Sequence, residues 1–393
     1  MTNSGVARRL TVSLLIASST LMPLYGARAR LSAVPVAVDV PVRPRPVATE
    51  GGIHLIYELH LTNFKSTPVE IASLSIRDSA SHRELVAYSA SELSLRVKRI
   101  GASAETDSRT LAPGSRTVVF LDVKLPAHEA IPKRLVHRLS LILTQADGSA
   151  VTDSLEDEGV ETRREPPLVV RPPLEGDRWL AMNGLSNTSS HRRAIVLVNG
   201  RARIAQRFAT DWTRLGADGQ AFHGDPANNA NWYAYGAIVR AVASGTVVDR
   251  QDGIPENDPT AGKMAVPITL ETVAGNYLII DIGNGHYAFY AHLQPGSLKV
   301  RLGQEVRAGQ AIAKLGNSGN SDAPHLHFHI GDHPSPLAAE GLPYVITRFA
   351  LLGHVPSLKV LESGEGWHPT ESAISQRTNE IPFQNAVVRF IRR

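Results

Sequence analysis

The chain has 393 residues, of which 42% are hydrophobic and 20% charged, a composition typical of a globular protein with room for two domains. It contains no cysteine, which excludes disulfides and thiolate metal ligands. The formal net charge is +4, from 41 basic and 37 acidic residues. A predicted leader, described next, contains three arginines and no acid, so 38 basic residues would remain against 37 acidic ones. This balance argues against a nucleic-acid-binding protein.

The first 29 residues have the pattern of a secretory signal. Arg8 and Arg9 supply a basic start, residues 10–24 are mostly apolar, and Ala27-Arg28-Ala29 fits a cleavage site. The apolar stretch is short for a spanning helix and is interrupted by polar residues, although an uncleaved anchor is the alternative. The sequence therefore predicts a secreted or periplasmic protein with no transmembrane segment after processing.

The following part of the chain predicts a small β-sandwich. Residues 30–50, rich in proline, are expected to form an extended lead-in. Strands separated by turn signals, with no convincing helix, favour an immunoglobulin-like sandwich over residues 51–162. A proline-rich linker is predicted over residues 163–178. The strands predicted in this region, besides one at 54–61, are 69–76, 117–125 and 139–144.

The strand at 54–61 has two distinct faces. Every second residue from Leu55 to Leu61 is apolar, which indicates a buried face. The other face carries His54, Glu58 and His60 and is expected to be solvated, because a glutamate between the two histidines is more typical of an outer surface than of a ligand set.

The second domain is predicted over residues 179–353, with residues 354–393 as a C-terminal tail. Its first element is a hairpin, in which Asn199-Gly200 forms a two-residue turn between strands at 194–198 and 201–211.

Three histidines occupy alternate positions in the run His325-Leu326-His327-Phe328-His329. In a strand they would share one face and offer a surface for metal binding or acid–base chemistry. Two features precede the run. One is Tyr290-Ala291-His292-Leu293, and the other is the segment 300–319, whose regularly placed glycines predict short strands and tight turns. A lone pair of strand histidines is a weak signal, but this ordered combination is a specific one.

In this order the three features resemble the M23 (LytM/lysostaphin-like) zinc peptidases, over about residues 180–345. The resemblance implies an antiparallel β-sheet domain, so the whole chain is expected to be all-β, with an Ig-like β-sandwich followed by an M23-type sheet domain. It also implies a zinc cofactor, with Asp211 and His327 as ligands and His292 and His325 as acid–base groups beside the metal. His329 stands where the family often has glutamate and is expected to lie beyond the pocket.

One position departs from the family pattern. The family's His-x-Gly-x-Asp ligand motif corresponds to residues 207–211, so Arg207 stands at the ligand histidine position. A guanidinium has no acceptor and cannot bind zinc, whereas catalytic zinc normally has three protein ligands. If Val198 pairs with Arg201 across the two-residue turn, the numbers of any two paired residues add up to 399, which places His191 opposite Phe208. The His191 side chain would then lie on the face opposite to Asp211, so a β-bulge would be needed to turn it inward. His191 is the predicted third ligand, with His223 or no protein replacement as the alternatives.

The predicted function is that of an exported metalloendopeptidase that hydrolyses peptidoglycan peptide bonds with a zinc-activated water. The substrate class follows from the resemblance and the predicted export. The alternative is a non-catalytic module of this fold that binds wall peptide or activates a separate amidase, which the loss of one ligand favours. The joint presence of Asp211, His292, His325 and His327 favours the enzyme. A carbohydrate-binding β protein with incidental histidines is a third possibility, and the sequence predicts neither the bond cleaved nor the oligomeric state.

Overall fold

The computed structural model describes residues 34–101, 109–358, 366–370 and 374–391, so the predicted leader lies outside the described residues. Almost all regular structure in these ranges is antiparallel β-sheet, which confirms the predicted all-β class. Within the same ranges, no helix has the length and apolar character needed to cross a membrane.

The first region is a sandwich of two sheets. The first sheet has five strands: β1 (Val36–Asp39), β2 (Arg45–Thr49), β3 (Gly52–Asn63), β6 (Val97–Arg99) and β8 (Arg116–Pro126). The second has six: β4 (Val69–Asp78), β5 (Glu84–Tyr88), β7 (Thr110–Leu111), β9 (Arg134–Thr144), β10 (Ala150–Glu156) and β11 (Val160–Glu161). A short helix, α1 (Ala90–Ser94), begins with a capping box between Ser89 and Glu92. The immunoglobulin-type topology stays a prediction.

Strand β3 buries both of its faces. Its alternate apolar residues pack into the core between the two sheets, as predicted. The expectation of a solvated opposite face was wrong, because His54, Glu58 and His60 on that face are also buried. The second region covers them: Arg192 pairs with Glu58, and the ring of Phe383 packs on His54.

Two segments that were predicted to be irregular contain strands. Residues 30–50 include β1 and β2, both antiparallel to β3, and residues 163–178 include β12 (Leu168–Val170) and the start of β13 (Gly176–Met182). Proline is compatible with these positions because β2, which contains Pro46, and β12 each pair with a single neighbour. An edge strand has N–H groups that need no partner. The lead-in and the linker are thus parts of the two folded regions.

The second region is built on a ten-stranded sheet with the order β21-β18-β19-β20-β23-β16-β13-β27-β25-β26. Its elements beyond β12 and β13 are α2 (Ser190–Arg193), β14 (Val196–Val198), β15 (Arg201–Arg203), β16 (Thr210–Arg214), a 3-10 turn (Asn229–Asn231), β17 (Ile238–Arg240), β18 (Gly245–Gln251), β19 (Asn276–Asp281), β20 (Tyr287–Leu293), β21 (Glu305–Val306), β22 (Ala311–Lys314), β23 (Leu326–Gly331), β24 (Tyr344–Ile346), β25 (Phe349–His354), β26 (Ser375–Arg377) and β27 (Ala386–Phe390). Three small pairs, β12–β24, β14–β15 and β17–β22, flank the large sheet.

The predicted hairpin is shorter than expected. Val198 pairs with Arg201, which confirms the register, and Asn199 and Gly200 have the positive φ angles of a type I′ turn. The two strands end at Val196 and Arg203, however, so the pairing does not reach residue 191. The backbone turns between residues 204 and 209 before β16 begins in the large sheet.

The end of the chain is not an appended tail. Strand β27 lies between β13 and β25 in the large sheet, and four of its five residues are buried. Its apolar run Ala386-Val387-Val388 is typical of a strand covered on both faces, and here Ala386 and Val388 pack in one core cluster while Val387 packs in another. The predicted boundary at residue 354 therefore falls inside one sheet.

Three neighbouring strands at the centre of the sheet bring the candidate residues together. Strand β23 lies between β16 and β20, with Asp211 of β16 paired to His327 and Ala291 of β20 paired to the same histidine. Directly paired residues point to the same side of a sheet. Asp211 and His327, 116 residues apart in the chain, are therefore adjacent.

Candidate metal and catalytic site

A cavity of about 460 Å³ lies over the centre of the large sheet. Its lining includes Asp211, His327, His292, His325 and His191. All five residues singled out by sequence analysis for metal binding or acid–base chemistry thus meet in one place. The cavity lining comes from the second region alone among the described residues.

Three of these residues form a compact group of potential metal donors. His191, Asp211 and His327 each offer an atom, and these atoms lie within 4.8 Å of one another. His191 Nε2 is 3.2 Å from Asp211 Oδ2, and His327 Nδ1 is 3.0 Å from Asp211 Oδ1. The group could hold a metal ion, because two imidazoles and one carboxylate are common ligands.

His191 reaches the group by a different route from the one predicted. It lies in α2, a single helical turn, rather than on a continued hairpin strand. Its Nδ1 lies 3.0 Å from the carbonyl of Asn183, which fixes Nδ1 as the protonated nitrogen and leaves Nε2 toward Asp211. The amide of Asn183 also donates to Asp211 Oδ2 over 3.0 Å. The predicted hairpin register had placed His191 near the site, but its ring reaches Asp211 from α2 without a β-bulge.

His327 is oriented by two neighbours. Its Nδ1 faces Asp211, and its Nε2 lies 2.9 Å from Nδ1 of His329. His329 is buried behind His327 and is not among the cavity-lining residues. Burial lowers the pKa of His327 to about 4 and that of His329 well below its usual value. Both rings are therefore neutral near pH 7, as a metal-binding imidazole must be.

His292 and His325 form a second pair beside the first group, with ring centroids 4.7 Å apart. Each directs Nδ1 to a backbone carbonyl at 2.8 Å, that of Ser318 for His292 and that of Ala323 for His325. The Nε2 of His325 lies 3.4 Å from Asp211 Oδ1. Since Nδ1 is used for orientation in both rings, Nε2 remains for chemistry.

The backbone of His292 is in the left-handed region, with φ +60°. A residue with a Cβ is uncommon there, and such strain tends to occur at functional sites. The conformation is held by a hydrogen bond from the His292 N–H to the carbonyl of Ala274 and by the contact with Ser318.

The two histidines of this pair have opposite pKa shifts in the metal-free protein. Burial, with smaller contributions from His325 and His327, lowers the pKa of His292 well below its usual value. Burial also acts to lower the pKa of His325, but the neighbouring Asp211 carboxylate outweighs it and the pKa is raised. Burial opposes ionisation of Asp211, yet His191 and His325 hold its pKa well below the usual range. Paired groups whose pKa values diverge are typical of acid–base sites.

Arg207 points away from the site. It is buried and forms ion pairs with Glu58 of the sandwich, at 2.9 Å, and with Glu340, at 3.0 Å. Although burial acts the other way, these two carboxylates raise the pKa of Arg207, so it is a permanent cation. His223, the alternative third donor, is exposed, packs on Tyr233 and does not line the cavity.

Sequence analysis missed the groups that orient the histidines. Asn183 and Ser318 act through their backbone carbonyls, which leave no signal in residue type. A partial signal was present in the run Gly316-Asn317-Ser318-Gly319-Asn320-Ser321. Gly319 has φ +78°, and a Cβ there would lie 2.3 Å from the backbone nitrogen of Gly275, so only glycine fits. Ser321 in turn bonds Asn317 and lies 3.2 Å from His325 Nδ1.

Residues 232–338 match the model of peptidase family M23, and the chain therefore contains a domain of this family. The match confirms the resemblance inferred from the histidine motifs. It includes His292, His325 and His327 but begins after Asp211 and His191.

Relatives resemble only part of the chain. Peptidoglycan DD-endopeptidase ShyA of Vibrio cholerae is 42% identical over 57 residues, which cover 14% of this chain and 13% of that protein. Murein hydrolase activator EnvC of Escherichia coli is 31% identical over 119 residues, 30% of this chain and 27% of that protein. The chain thus spans at most 27% of the length of these two relatives. Among solved structures, the catalytic domain of the antimicrobial peptidase lysostaphin from Staphylococcus simulans is 25% identical, with a TM-score of 0.21 and coverage of 31% of this chain and 86% of that one.

Proposed function

We propose that the protein is an exported peptidoglycan metalloendopeptidase whose zinc is held by His191, Asp211 and His327. The observation that carries the proposal is the approach of these three donors to within 4.8 Å of one another. His191 supplies a donor from the helical turn α2, while Arg207 stands at the usual ligand position. This restores the three protein ligands of a catalytic zinc site, which keeps one position open for water or substrate.

The spacing of the donors supports zinc. The separations of 3.2 Å and 3.0 Å between Asp211 and the two histidines are close to the roughly 3.3 Å that separates ligands of a tetrahedral zinc with bonds of about 2.0–2.1 Å. With the Nε2–H of His327 donated to His329, its Nδ1 has a lone pair for the metal. Bound zinc would lower the pKa of its water to about 7 and polarise the scissile carbonyl.

The remaining histidines supply acid–base chemistry. His292 is neutral near pH 7 because its pKa is lowered, so its Nε2 can accept the proton of the attacking water. His325, with a raised pKa, keeps a proton more readily and can donate to the developing oxyanion or to the leaving amine. The open cavity gives a peptide access to both.

Peptidoglycan is the proposed substrate for two reasons. ShyA of Vibrio cholerae is named a peptidoglycan DD-endopeptidase, and the first 29 residues predict export to the compartment that contains the cell wall. The substrate peptide would lie in the cavity over β16, β20 and β23.

The proposal is tested by measuring zinc content and hydrolysis on the same purified protein. We expect about one zinc per chain and release of soluble peptides from purified peptidoglycan, with both lost in His191→Ala. The matched control is His223→Ala, which changes an exposed histidine outside the cavity and should leave both unchanged. Zinc and hydrolysis retained in His191→Ala would contradict the assigned ligand set.

A non-catalytic activator is the second candidate, because EnvC, named a murein hydrolase activator, matches over 119 residues. This function predicts no zinc and no peptide release from peptidoglycan, together with faster hydrolysis when a cell-wall amidase is added. Zinc content, peptide release and amidase stimulation, measured on the same preparation, distinguish the two functions.

A further inference from the structure

The helical turn α2, which carries His191, is attached to the sandwich. His191 and Arg192 are consecutive residues of α2, and their side chains have different partners. His191 contacts Asp211 at the cavity, and Arg192 contacts Glu58 of the first region. We propose that the sandwich is a structural part of the metal site and holds His191 in position through Glu58. This inference rests on the proposed role of His191 as a ligand.

Arg192 is fixed by three acceptors on the sandwich. Its Nε lies 3.4 Å from Glu58 Oε1, and its Nη2 donates to the carbonyls of Tyr57, at 2.9 Å, and Leu121, at 2.6 Å. Only 1% of Arg192 and 2% of Glu58 is exposed. The two carbonyls belong to paired residues of β3 and β8, so the arginine is bound to the rigid middle of a sheet.

The same carboxylate holds Arg207. Its Nε donates to Glu58 Oε2 over 2.9 Å, so one glutamate of the sandwich accepts from two buried arginines of the second region. We call Glu58, Arg192 and Arg207 the Glu58 clamp. The arginine at the usual ligand position and the histidine that replaces the ligand are thus connected through one side chain of the sandwich.

The turn α2 needs these external contacts. Four residues are too few for a helix that is stable by itself, so the place of His191 depends on what its neighbours bind. Arg193 donates to the carbonyl of Leu95, and Lys98 donates to the carbonyl of Arg193 over 3.0 Å. These are further contacts from the sandwich, and they act on the same turn. Loss of Glu58 would leave two buried cations without their shared partner, which would move the turn.

The experiment compares two neighbouring residues of β3. Glu58→Gln keeps the side-chain volume but removes the charge that holds the clamp, whereas Tyr57→Phe removes a hydroxyl that bonds His137 in the sandwich core. Zinc affinity would be measured by competition with a chromophoric chelator, at a temperature where circular dichroism shows each variant folded. We expect about 10–100-fold weaker zinc binding in Glu58→Gln and no change in Tyr57→Phe.

Substitution of Co²⁺ for zinc gives a second readout. The visible absorption of bound Co²⁺ reports its coordination, so it should change in Glu58→Gln and stay unchanged in Tyr57→Phe. Arg192→Lys, which keeps the charge but loses the forked donor pair, should weaken zinc binding in the same direction. If Glu58→Gln does not fold, the zinc affinity of Arg192→Lys tests the inference in its place.

Wild-type zinc affinity in both clamp variants would overturn the inference, and so would an equal loss in Tyr57→Phe, since that would reflect general destabilisation. These outcomes leave zinc in the wild-type protein and so spare the proposed function. Absence of zinc from the wild type would overturn both.

Discussion

The sandwich and the sheet domain each bury a histidine beside a carboxylate, but the ring nitrogens are used differently. In the sandwich, His137 Nδ1 lies 2.7 Å from Asp157 and Nε2 lies 2.8 Å from the Tyr57 hydroxyl. Both nitrogens have partners within the core, and the ring is fully buried. In the sheet domain, His191, His292 and His325 each direct Nδ1 to a carbonyl, and their rings line a cavity.

The comparison shows which feature distinguishes a structural histidine from a reactive one. A buried histidine such as His137, whose two partners both lie in a closed core, contributes a satisfied polar group and no more. A histidine with one nitrogen fixed by a neighbouring group and the other directed to a cavity, or to a cavity-lining carboxylate as in His327, is oriented for metal binding or proton transfer. Proximity to a carboxylate is common to both and does not separate them.

The largest expected effect comes from making the same substitution in both regions. His327→Gln removes a proposed zinc ligand and should lower peptidoglycan hydrolysis by roughly 10³-fold or more, with loss of bound zinc. His137→Gln should leave zinc content and turnover per folded molecule unchanged. Zinc analysis and peptide release would be measured below the unfolding temperature of both variants. Equal loss of activity in the two would remove the distinction between the regions.

The acid–base pair should give the next largest effect. His292→Ala and His325→Ala are each expected to lower turnover by about 10²–10⁴-fold, the usual contribution of general acid–base groups. Bound zinc should remain, because neither residue belongs to the three-donor group. Turnover and zinc content measured on the same sample separate this role from ligation. A variant with normal turnover would exclude its residue from the mechanism.

A smaller effect is expected for His329. Its Nδ1 contacts His327 Nε2 from behind, so it acts on the metal only through the orientation of that ring. His329→Ala should weaken zinc binding by about 10–100-fold, as is usual for the loss of a group that orients a ligand. The affinity would be determined by chelator competition, and an unchanged value would show that His327 is held in place without it.

In the sandwich, loss of a hydrogen bond should change stability alone. Tyr57→Phe leaves His137 Nε2 buried without its partner, which is expected to lower the free energy of unfolding by about 1–3 kcal/mol. Urea unfolding measures this difference. Hydrolysis by the folded variant should equal that of the wild type, and a reduced rate would mean that the sandwich core communicates with the cavity.

The sequence predicted the all-β class and the strand histidines because both depend on local patterns. Alternation in β23 places His327 and His329 on one face of the strand, with His325 directly before its first residue, and the distance between strands is set by the sheet. Asp211 was implied by the resemblance to the M23 family, in whose ligand motif it stands at the aspartate position. The register of the Asn199-Gly200 turn was also correct, since a two-residue turn fixes its first pairs.

The parts that could not be predicted depend on contacts between distant segments. The outer face of β3 is polar in sequence and buried in structure because Arg192, 134 residues away, pairs with Glu58. The strand at 386–390 enters the middle of a sheet that begins 210 residues earlier at β13. His191 reached the cavity through a one-turn helix, a conformation that hairpin register could not specify.

The smallest effect is expected at a solvent-exposed contact between the two regions, where His354 Nε2 lies 2.6 Å from Glu50 Oε1. The hydrogen bond to Glu50 raises the pKa of His354 above its usual value. A raised folded-state pKa adds stability that is fully present below the unfolded pKa and is lost as pH rises through the folded pKa. Because 40% of the His354 side chain is exposed, solvent screening should limit the contribution to less than about 1 kcal/mol.

His354→Gln should therefore reduce stability slightly at pH 5.5, below the ordinary histidine pKa of about 6.5, and by less at pH 8, because the contribution is lost as pH rises through the raised folded-state pKa. Thermal unfolding at the two pH values, compared between wild type and variant, measures the difference. A variant that is equally destabilised at both values would show that the contact acts through packing, since a charge-dependent contribution must disappear when the imidazole is neutral.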